Sequence, residues 1–579
     1  MATLPIFHTA GGDTTDVDVE RLSHDVLGGQ DMSTTSRGPR TEVRGAEVHV
    51  DLDRAHGGLW AGDLTRLGST ERIEVPGDGA VVEIARDAMR HTRLTPELRG
   101  PFRLLEGAVR RTLVAQEEDG RRDSWKTDAT FAQDVVVDVS DRAGARALGD
   151  STLPVLGGGG HFTTTVGDGG QVVGQHGVWR RTEEADEREV RSVEEALEAA
   201  GIALDGDDFR VTQSRLGYYS APPFSGQELL FPVYAVGGEV RDGDRWVPSR
   251  IRLVPATDVG EVAPPEHKLP DRKPPVLSPK PGTLPLRPGM ALPHGVSVST
   301  RLLNERGLKP QDVLTRAPSG TIFVKPQLDA TLLPLLLEST RARSFGASWI
   351  GTMGGLGGSQ GNAQGFVDEM SAEGWARRFN WGNEAAWKSD WVSNDDNYVD
   401  NVDFVFYTGH ASPDGWMLAS NGSGDWLHHN DVGAQPNMPS DLWGQKNLEW
   451  VVVAACGPRQ DDLINGGGNV FDRWRGAFDG LHLMLGYAAV TYDNTEEGRR
   501  LASYARSGMT LRQAWFRTAQ EIQPSTNGFG DPYGPDVYAA AMYIGNSDGN
   551  TANDHIWGRG SVGPDIRNST YRGCSFSPC

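Results

Sequence analysis

Apolar and polar positions change rhythm partway along the 579-residue chain. In the first part, short valine-rich runs at 46–52, 80–84 and 134–139 are bounded by Gly, Asp or Arg clusters, which predicts strands. The stretch 193–200 has the one-sided apolar spacing of a helix and is stopped by Gly201. Three further short runs follow, at 210–213, 228–236 and, past the Asp242-Gly243-Asp244 turn, 250–254. One helix and several strands in that order predict an α+β region with small antiparallel sheets over 41–254. The first 40 residues show no periodicity and are expected to be poorly ordered. The glycine run at 157–160 before His161 does not match a phosphate-binding fingerprint and reads as a hairpin loop.

From about residue 340 the pattern differs. The runs at 347–351, 402–407, 448–454 and 481–488 are almost continuously apolar and of strand length, which suits strands buried on both faces of a mostly parallel sheet. Helical spacing at 363–373, 496–507 and 510–520 separates or follows them. This alternation predicts an α/β domain over 340–579, doubly wound, with its site at the carboxyl ends of the strands. Eleven of the 34 prolines fall in 255–293. That density excludes helix and central strand, so 255–295 reads as a linker, followed by a connecting segment at 296–339.

Composition sharpens this picture in three places. The formal charge of −22 argues against nucleic acid or an anionic membrane as partner. Neither a signal peptide nor an apolar run of spanning length is seen, so the default expectation is a cytoplasmic protein with no membrane partner. Only three cysteines occur, Cys456, Cys574 and Cys579, too few for a disulfide framework. Twelve of the 16 tryptophans follow residue 340, placing the aromatic-rich core there.

Two residues stand at the predicted carboxyl ends of neighbouring strands. The run 404–407 leads into Thr408-Gly409-His410-Ala411-Ser412, and the run 450–453 leads into Ala454-Ala455-Cys456-Gly457-Pro458. Neighbouring strands lie ~4.8 Å apart. A histidine and the interior cysteine in that relation form a candidate acid/base and nucleophile pair. The small neighbours Gly409, Ala411, Ala455 and Gly457 leave room for a substrate backbone, and the N–H groups of Ala411 and Cys456 are candidates for an oxyanion hole. Each residue alone has an ordinary structural reading, a small buried hydrophobe or a hydrogen-bonded core histidine. Their paired placement favours the catalytic one.

The segments FVFYTGHAS at 404–412 and VVVAACG at 451–457 resemble the His-Gly and Ala-Cys motifs of caspase-like cysteine peptidases, with gingipains and clostripain most alike. The stretch GWARRFNWGNEAAWKSDW at 374–391 resembles an uncharacterised bacterial family with a caspase-like domain, which similarly carries a small α+β unit like that around LLFPVYAVGG at 229–238. The resemblance spans about 340–520. It implies a caspase-haemoglobinase-like fold, an endopeptidase acting on protein or peptide substrates, nucleophilic attack by Cys456, and His410 polarising the scissile carbonyl or protonating the leaving amine. The N-terminal α+β region and the proline-rich stretch then read as a prodomain or regulator, and self-cleavage is expected within 255–295, which reads as an exposed linker. One departure is Ala411, where such peptidases carry glycine directly after the histidine.

Asp414, Asp461, Asp462 and Asp493 lie near the expected rim and would select basic substrates, whereas Arg459 would select acidic ones. No cofactor or metal is expected at the dyad. Asp395, Asp396, Asp400 and Asp403 lack the EF-hand spacing, and structural calcium follows only from the likeness to gingipains. The His428-His429-Asn430-Asp431 run reads as a polar loop. Two alternatives stay open: an amidase or peptide ligase using the same dyad, and a non-catalytic peptide- or carbohydrate-binding module built on the tryptophans of 375–443. Cys574 and Cys579 read as tail residues able to close a small loop.

Overall fold

The computed structural model describes residues 2–10, 17–95, 97–142, 148–202, 208–262, 343–420, 423–432, 443–530, 534–547 and 549–579, with short stretches at 296–298, 303, 308–316, 322–327 and 337–339. Most of the proline-rich stretch 255–295 lies outside the described residues. The fold is mixed α/β with one large mixed sheet, smaller antiparallel sheets and few helices.

In the N-terminal half the elements used below are β1 (Thr3–Ala10), α1 (Asp78–Thr92), β2 (Phe102–Glu118), β3 (Arg121–Asp138), α2 (Val193–Ala199), β4 (Phe209–Tyr219), β5 (Leu229–Asp242) and β6 (Arg252–Pro255). The C-terminal half adds β7 (Ser344–Trp349), α3 (Ser359–Ala372), β8 (Ala376–Gly382), β9 (Phe404–Thr408), β10 (Trp450–Ala454), β11 (Leu483–Tyr487), α4 (Glu497–Arg506), α5 (Leu511–Ile522), β12 (Tyr538–Asn546) and β13 (Tyr571–Pro578).

The five strands β8-β7-β9-β10-β11 are parallel. Antiparallel β12 and β13 extend them, and β13 then pairs with β2, which forms a long hairpin with β3. The two halves of the chain therefore share one sheet. The β2–β3 hairpin turns at Asp119-Gly120, both at positive φ (49° and 72°), the geometry whose twist matches paired strands.

The continuous apolar runs are explained by two cores. Along β9, Phe404 and Phe406 face one cluster while Val405 and Tyr407 face the other; along β10, Trp450, Val452 and Ala454 alternate in the same way with Val451 and Val453. The first core is closed by α3, α4 and α5, through Phe366, Leu501 and Trp515 among others. The second is closed by Trp391, Trp416, Trp443 and Trp474, whose rings lie 5.2–5.9 Å apart. The expectation of helices wound on both faces is thus modified. These three helices gather on one face, and a tryptophan-rich layer covers the other.

Several expectations for the N-terminal half are corrected. The first 40 residues, expected to be poorly ordered, include β1, which buries Leu4, Ile6 and Phe7 and pairs with strand Arg181–Glu189 and with β5. Its partners lie at least 171 residues away, so no local pattern announces it. The run 80–84 is not a strand but part of α1. Its buried residues Val81, Ala85, Ala88, Met89 and Thr92 recur three to four apart, a spacing that a five-residue window cannot display. The run 157–160 is not a free hairpin loop, because its flanking strands both pair with β3 rather than with each other. A Cβ at Gly158 would sit 2.6 Å from the carbonyl oxygen of Glu521, so close packing against the end of α5 is what requires glycine there.

The C-terminal tail is also corrected. β13 is central in the sheet, and Cys574 and Cys579 are 0% and 1% exposed and unbridged. Five extended residues separate them by ~16 Å, far beyond disulfide reach.

Candidate functional site

Thr408 of β9 pairs directly with Ala454 of β10. His410 and Cys456 each lie two residues beyond that pair, so both project from the carboxyl edge of the parallel sheet, where α/β sheets place their ligands. The turn after β7 joins them there. Its Gly354 carbonyl accepts a hydrogen bond from His410 Nε2 at 2.7 Å, and a Cβ at Gly354 would approach the imidazole to 2.9 Å. The imidazole is fully buried, which pushes its pKa down to about 3. His410 is neutral, with Nε2 donating and Nδ1 free to accept.

What Nδ1 accepts is the N–H of Arg250, at 3.4 Å. This residue comes from the N-terminal half, just before β6. The Ile251 N–H donates to Thr491 O at 2.9 Å and the Asp493 N–H donates to Ile251 O at 2.8 Å, so the segment adds itself in parallel beside 491–493. Cys456 is 1% exposed and directs its sulfur at Thr491, whose N–H lies at 3.4 Å and whose hydroxyl lies at 3.7 Å. Burial raises the thiol pKa, and the nearby Arg250 guanidinium opposes that rise. His410 and Cys456 thus share an edge, yet each spends its hydrogen bonds on other partners. Backbone from 250–251 contacts the histidine and the cysteine's neighbour.

The Arg250 side chain runs into the sheet edge and is 0% exposed. Its guanidinium donates to Ala454 O at 2.8 Å, Thr408 Oγ1 at 3.1 Å and Tyr492 O at 2.7 Å. It also meets both oxygens of Glu497, at 3.0 and 3.2 Å. Glu497, at the start of α4, further accepts from Asn362 Nδ2 (2.7 Å), Tyr487 OH (2.7 Å) and Gln523 Nε2 (3.0 Å). Burial, the largest single influence, would lower the Arg250 pKa, but the charges of Glu497 and Asp493, with Cys456 and Tyr487 adding to them, together outweigh it and the net shift is upward. The cation is therefore held charged inside the fold. A cavity of about 800 Å³ opens beside this cluster, lined by Gly354, Met417, Phe209, Arg252, Asp493 and Asn494 among others.

The other sequence-nominated residues divide. Gly409 is required sterically, because a Cβ would come 2.4 Å from Tyr407 OH, and Gly457 has φ of 70°. Ala411 lies in the short strand Ala411–Ser412, paired with strand Gly415–Ser420, so extended backbone suffices and glycine is not needed. Asp493 accepts from Gly358 N at 2.8 Å, and burial raises its pKa. It lines the cavity. Asp414 instead pairs with Arg245 at 2.9 Å. Asp461, fully buried, pairs with Arg122 and accepts the Val470 N–H at 2.9 Å, a loop-holding role. Asp462 caps Gly468 N at 2.9 Å. Arg459 is buried against Trp474, 4.9 Å from its ring centroid, and does not offer itself to an acidic ligand. Asp400 accepts N–H bonds from Gly444 (2.8 Å) and Lys446 (3.0 Å), and Asp403 accepts from Ser344 (2.7 Å), so these carboxylates organise loops. Of the tryptophans in 375–443, Trp391, Trp416 and Trp443 are 0–1% exposed, whereas Trp387 is 42% exposed.

Sequence reasoning missed Arg250, Glu497, Thr491 and Asn362. Arg250 was read as one end of a strand, and nothing local distinguishes it among 48 arginines.

His428 also bridges the halves, its Nε2 lying 3.1 Å from Asp242. Donation of this N–H to the Asp242 carboxylate raises the histidine pKa against the lowering effect of burial; Asp431 adds to the rise and Lys388 opposes it. A raised folded pKa contributes stability below the unfolded value, and the contribution disappears as pH rises through the folded value. The stability difference between wild type and His428→Ala is expected to be larger at about pH 5.5 than at about pH 8.5. Urea unfolding at the two pH values checks it, and an equal difference at both would refute it.

No helix among the described residues is long and apolar enough to cross a membrane. Residues 340–576 match the model of a family described as a domain of unknown function, DUF6345. No curated protein matches the chain. A crystal structure of an uncharacterized protein from Eubacterium rectale ATCC 33656 aligns with 44% of this chain and 85% of that one, at 10% identity and a TM-score of 0.24, too distant to bear on function.

Proposed function

We propose that this chain is a cysteine endopeptidase of the caspase-like type, held closed by its own segment 249–252. Cys456 is the nucleophile and His410 the acid/base group. The observation that carries the reading is Arg250, whose backbone meets His410 while its guanidinium fills a buried, carboxylate-based pocket at the same sheet edge. A pocket of this kind, with Glu497 fixed by Asn362, Tyr487 and Gln523, is costly to empty, because an unpaired buried carboxylate is strongly unfavourable. A substrate that displaces Arg250 has to supply a replacement cation, so cleavage after basic residues follows from the chemistry of Glu497.

With the segment in place, the thiol is occluded and its raised pKa keeps it protonated, a closed state. Opening admits water and substrate, lowers the desolvation of both groups, and lets the imidazole reach the thiol.

Fluorogenic arginyl, lysyl and aspartyl peptides test this, offered to intact chain and to chain nicked by limited proteolysis within 255–295. Arginyl peptides are expected to be cleaved at least ~100-fold faster than aspartyl ones after nicking, and Cys456→Ala to lose at least ~1000-fold. Wild type, but not Cys456→Ala, is also expected to release fragments ending within 255–295 on storage. Cleavage unaffected by Cys456→Ala, a preference for aspartate, or no cleavage by nicked chain would overturn the assignment.

A further inference from the structure

At the opposite edge of the sheet, three side chains converge on one point. Glu449 directly precedes β10 and His482 directly precedes β11, so both stand at the amino ends of the parallel strands. Five residues of strand, ~17 Å, separate this edge from the one carrying His410 and Cys456. Asp565 arrives from the loop between β12 and β13. One ligand-type atom from each of the three lies within 4.8 Å of the others.

The geometry of the pair is not that of an ordinary ion pair. His482 Nε2 lies 3.1 Å from Glu449 Oε2 and 3.6 Å from Asp565 Oδ1. By strict geometry neither Nε2 nor Glu449 Oε2 completes a hydrogen bond, although His482 is 0% exposed; the Asp565 carboxylate, whose pull on the ring raises the imidazole pKa, stands off Nε2 at 3.6 Å. The atoms are close but not aimed along an N–H···O line. Buried polar atoms are rarely left in that state without a partner that the protein atoms do not supply. Zinc–nitrogen and zinc–oxygen bonds of ~2.0–2.2 Å at tetrahedral angles put ligand atoms ~3.4 Å apart, a value that lies between the 3.1 and 3.6 Å seen here.

The other imidazole nitrogen is occupied in the way a ligating histidine requires. His482 Nδ1 lies 2.6 Å from Asp554 Oδ2, and Asp554 is itself fixed by Trp450 Nε1 at 3.1 Å and Gly563 N at 2.9 Å. A carboxylate on Nδ1 sets the tautomer that leaves the Nε2 lone pair facing outward, and it raises the basicity of the ring.

We infer that Glu449, His482 and Asp565 form a site for a first-row divalent cation, zinc being the best match to one imidazole and two carboxylates. Calcium and magnesium, which take oxygen ligands and larger coordination shells, fit the donor set less well. Glu449 and His482 are held by the sheet, while the Asp565 side chain is 56% exposed, which leaves a fourth position open to water. The site stands apart from the dyad and does not depend on the peptidase reading. The cation would tie the loop carrying Asp554 and Asp565 to the amino edge of β10 and β11, a structural task.

The test uses untagged full-length chain stripped with chelator, then titrated with zinc by calorimetry, with bound metal counted by mass spectrometry. Wild type is expected to take up one equivalent and to unfold at a higher temperature when zinc is present. Asp565→Asn, at a half-exposed position, is expected to stay folded and to bind at least tenfold more weakly, and Glu449→Gln likewise. Cobalt in place of zinc is expected to give the visible absorption of a four-coordinate site in wild type and not in Asp565→Asn. Folded wild type that takes up no equivalent overturns the inference; it would mean that His482 is simply a charged imidazole among carboxylates. Uptake unchanged in Asp565→Asn overturns it equally, by placing the metal elsewhere.

Discussion

Replacing Arg250 by alanine is expected to destabilise the fold by about 3–5 kcal/mol, the usual cost of stripping one partner from a buried ion pair. The size follows from what remains. Glu497 keeps its bonds from Asn362, Tyr487 and Gln523 but loses the guanidinium that contacts both its oxygens, with both side chains at 0% exposure. The same reasoning predicts the repair. Arg250→Met with Glu497→Gln removes both charges while keeping most of the volume, and is expected to recover much of the loss. Agmatine, a free alkylguanidine, is expected to raise the unfolding temperature of Arg250→Ala and to leave wild type unchanged, because only the variant has a vacant cation pocket. Thermal and urea unfolding of the three chains decides the matter. An Arg250→Ala variant within ~0.5 kcal/mol of wild type would show that the pocket does not rely on its cation.

The second large effect is expected at the thiol. An unperturbed cysteine is ~10% thiolate near pH 7.5, and the thiolate is the form that alkylates. Cys456 is 1% exposed with its pKa raised by burial, so iodoacetamide is expected to modify it at least tenfold more slowly than free glutathione. The Arg250→Met/Glu497→Gln chain keeps the fold but gives up the ion pair that anchors 249–252. Cys456 in that chain is expected to react at least tenfold faster than in wild type. Removing both charges also removes opposing influences on the thiol, since Arg250 lowers its pKa and Glu497 raises it. Cys574, buried within β13 with its pKa also raised, is the internal control and is expected to stay inert in both chains. Peptide mass spectrometry reads each cysteine separately. A Cys456 rate that stays with that of Cys574 in both chains would contradict the closed-site account.

Much of the C-terminal half was legible because its strands are buried on both sides. Runs such as 404–408 and 450–454 are apolar without interruption, and such runs have few other places to go in a soluble fold. β8 was missed for the converse reason. As an edge strand reading Ala376-Arg377-Arg378-Phe379 it is only half apolar, and its parallel pairing with β7 supplies what its sequence lacks. α1 was misread because Ala80-Val81-Val82 is β-like locally, whereas its five buried positions form a stripe only over fifteen residues. The positions of His410 and Cys456 at neighbouring strand ends were readable, since the strands themselves were. Their present partners were not.

The sequence by itself determined the alternation of strands and helices after residue 340, the strand-end placement of His410 and Cys456, and the concentration of tryptophan in the C-terminal half. These depend on periodicity and on what directly follows a strand, which are local properties. Only the tertiary structure decided that Arg250 occupies the dyad's edge, that Glu497 receives it, and that β13 joins the two halves in one sheet. Arg250 lies 160 residues before His410 and 247 before Glu497. A buried ion pair is chosen by desolvation and geometry at a point in space, and no spacing along the chain encodes that point.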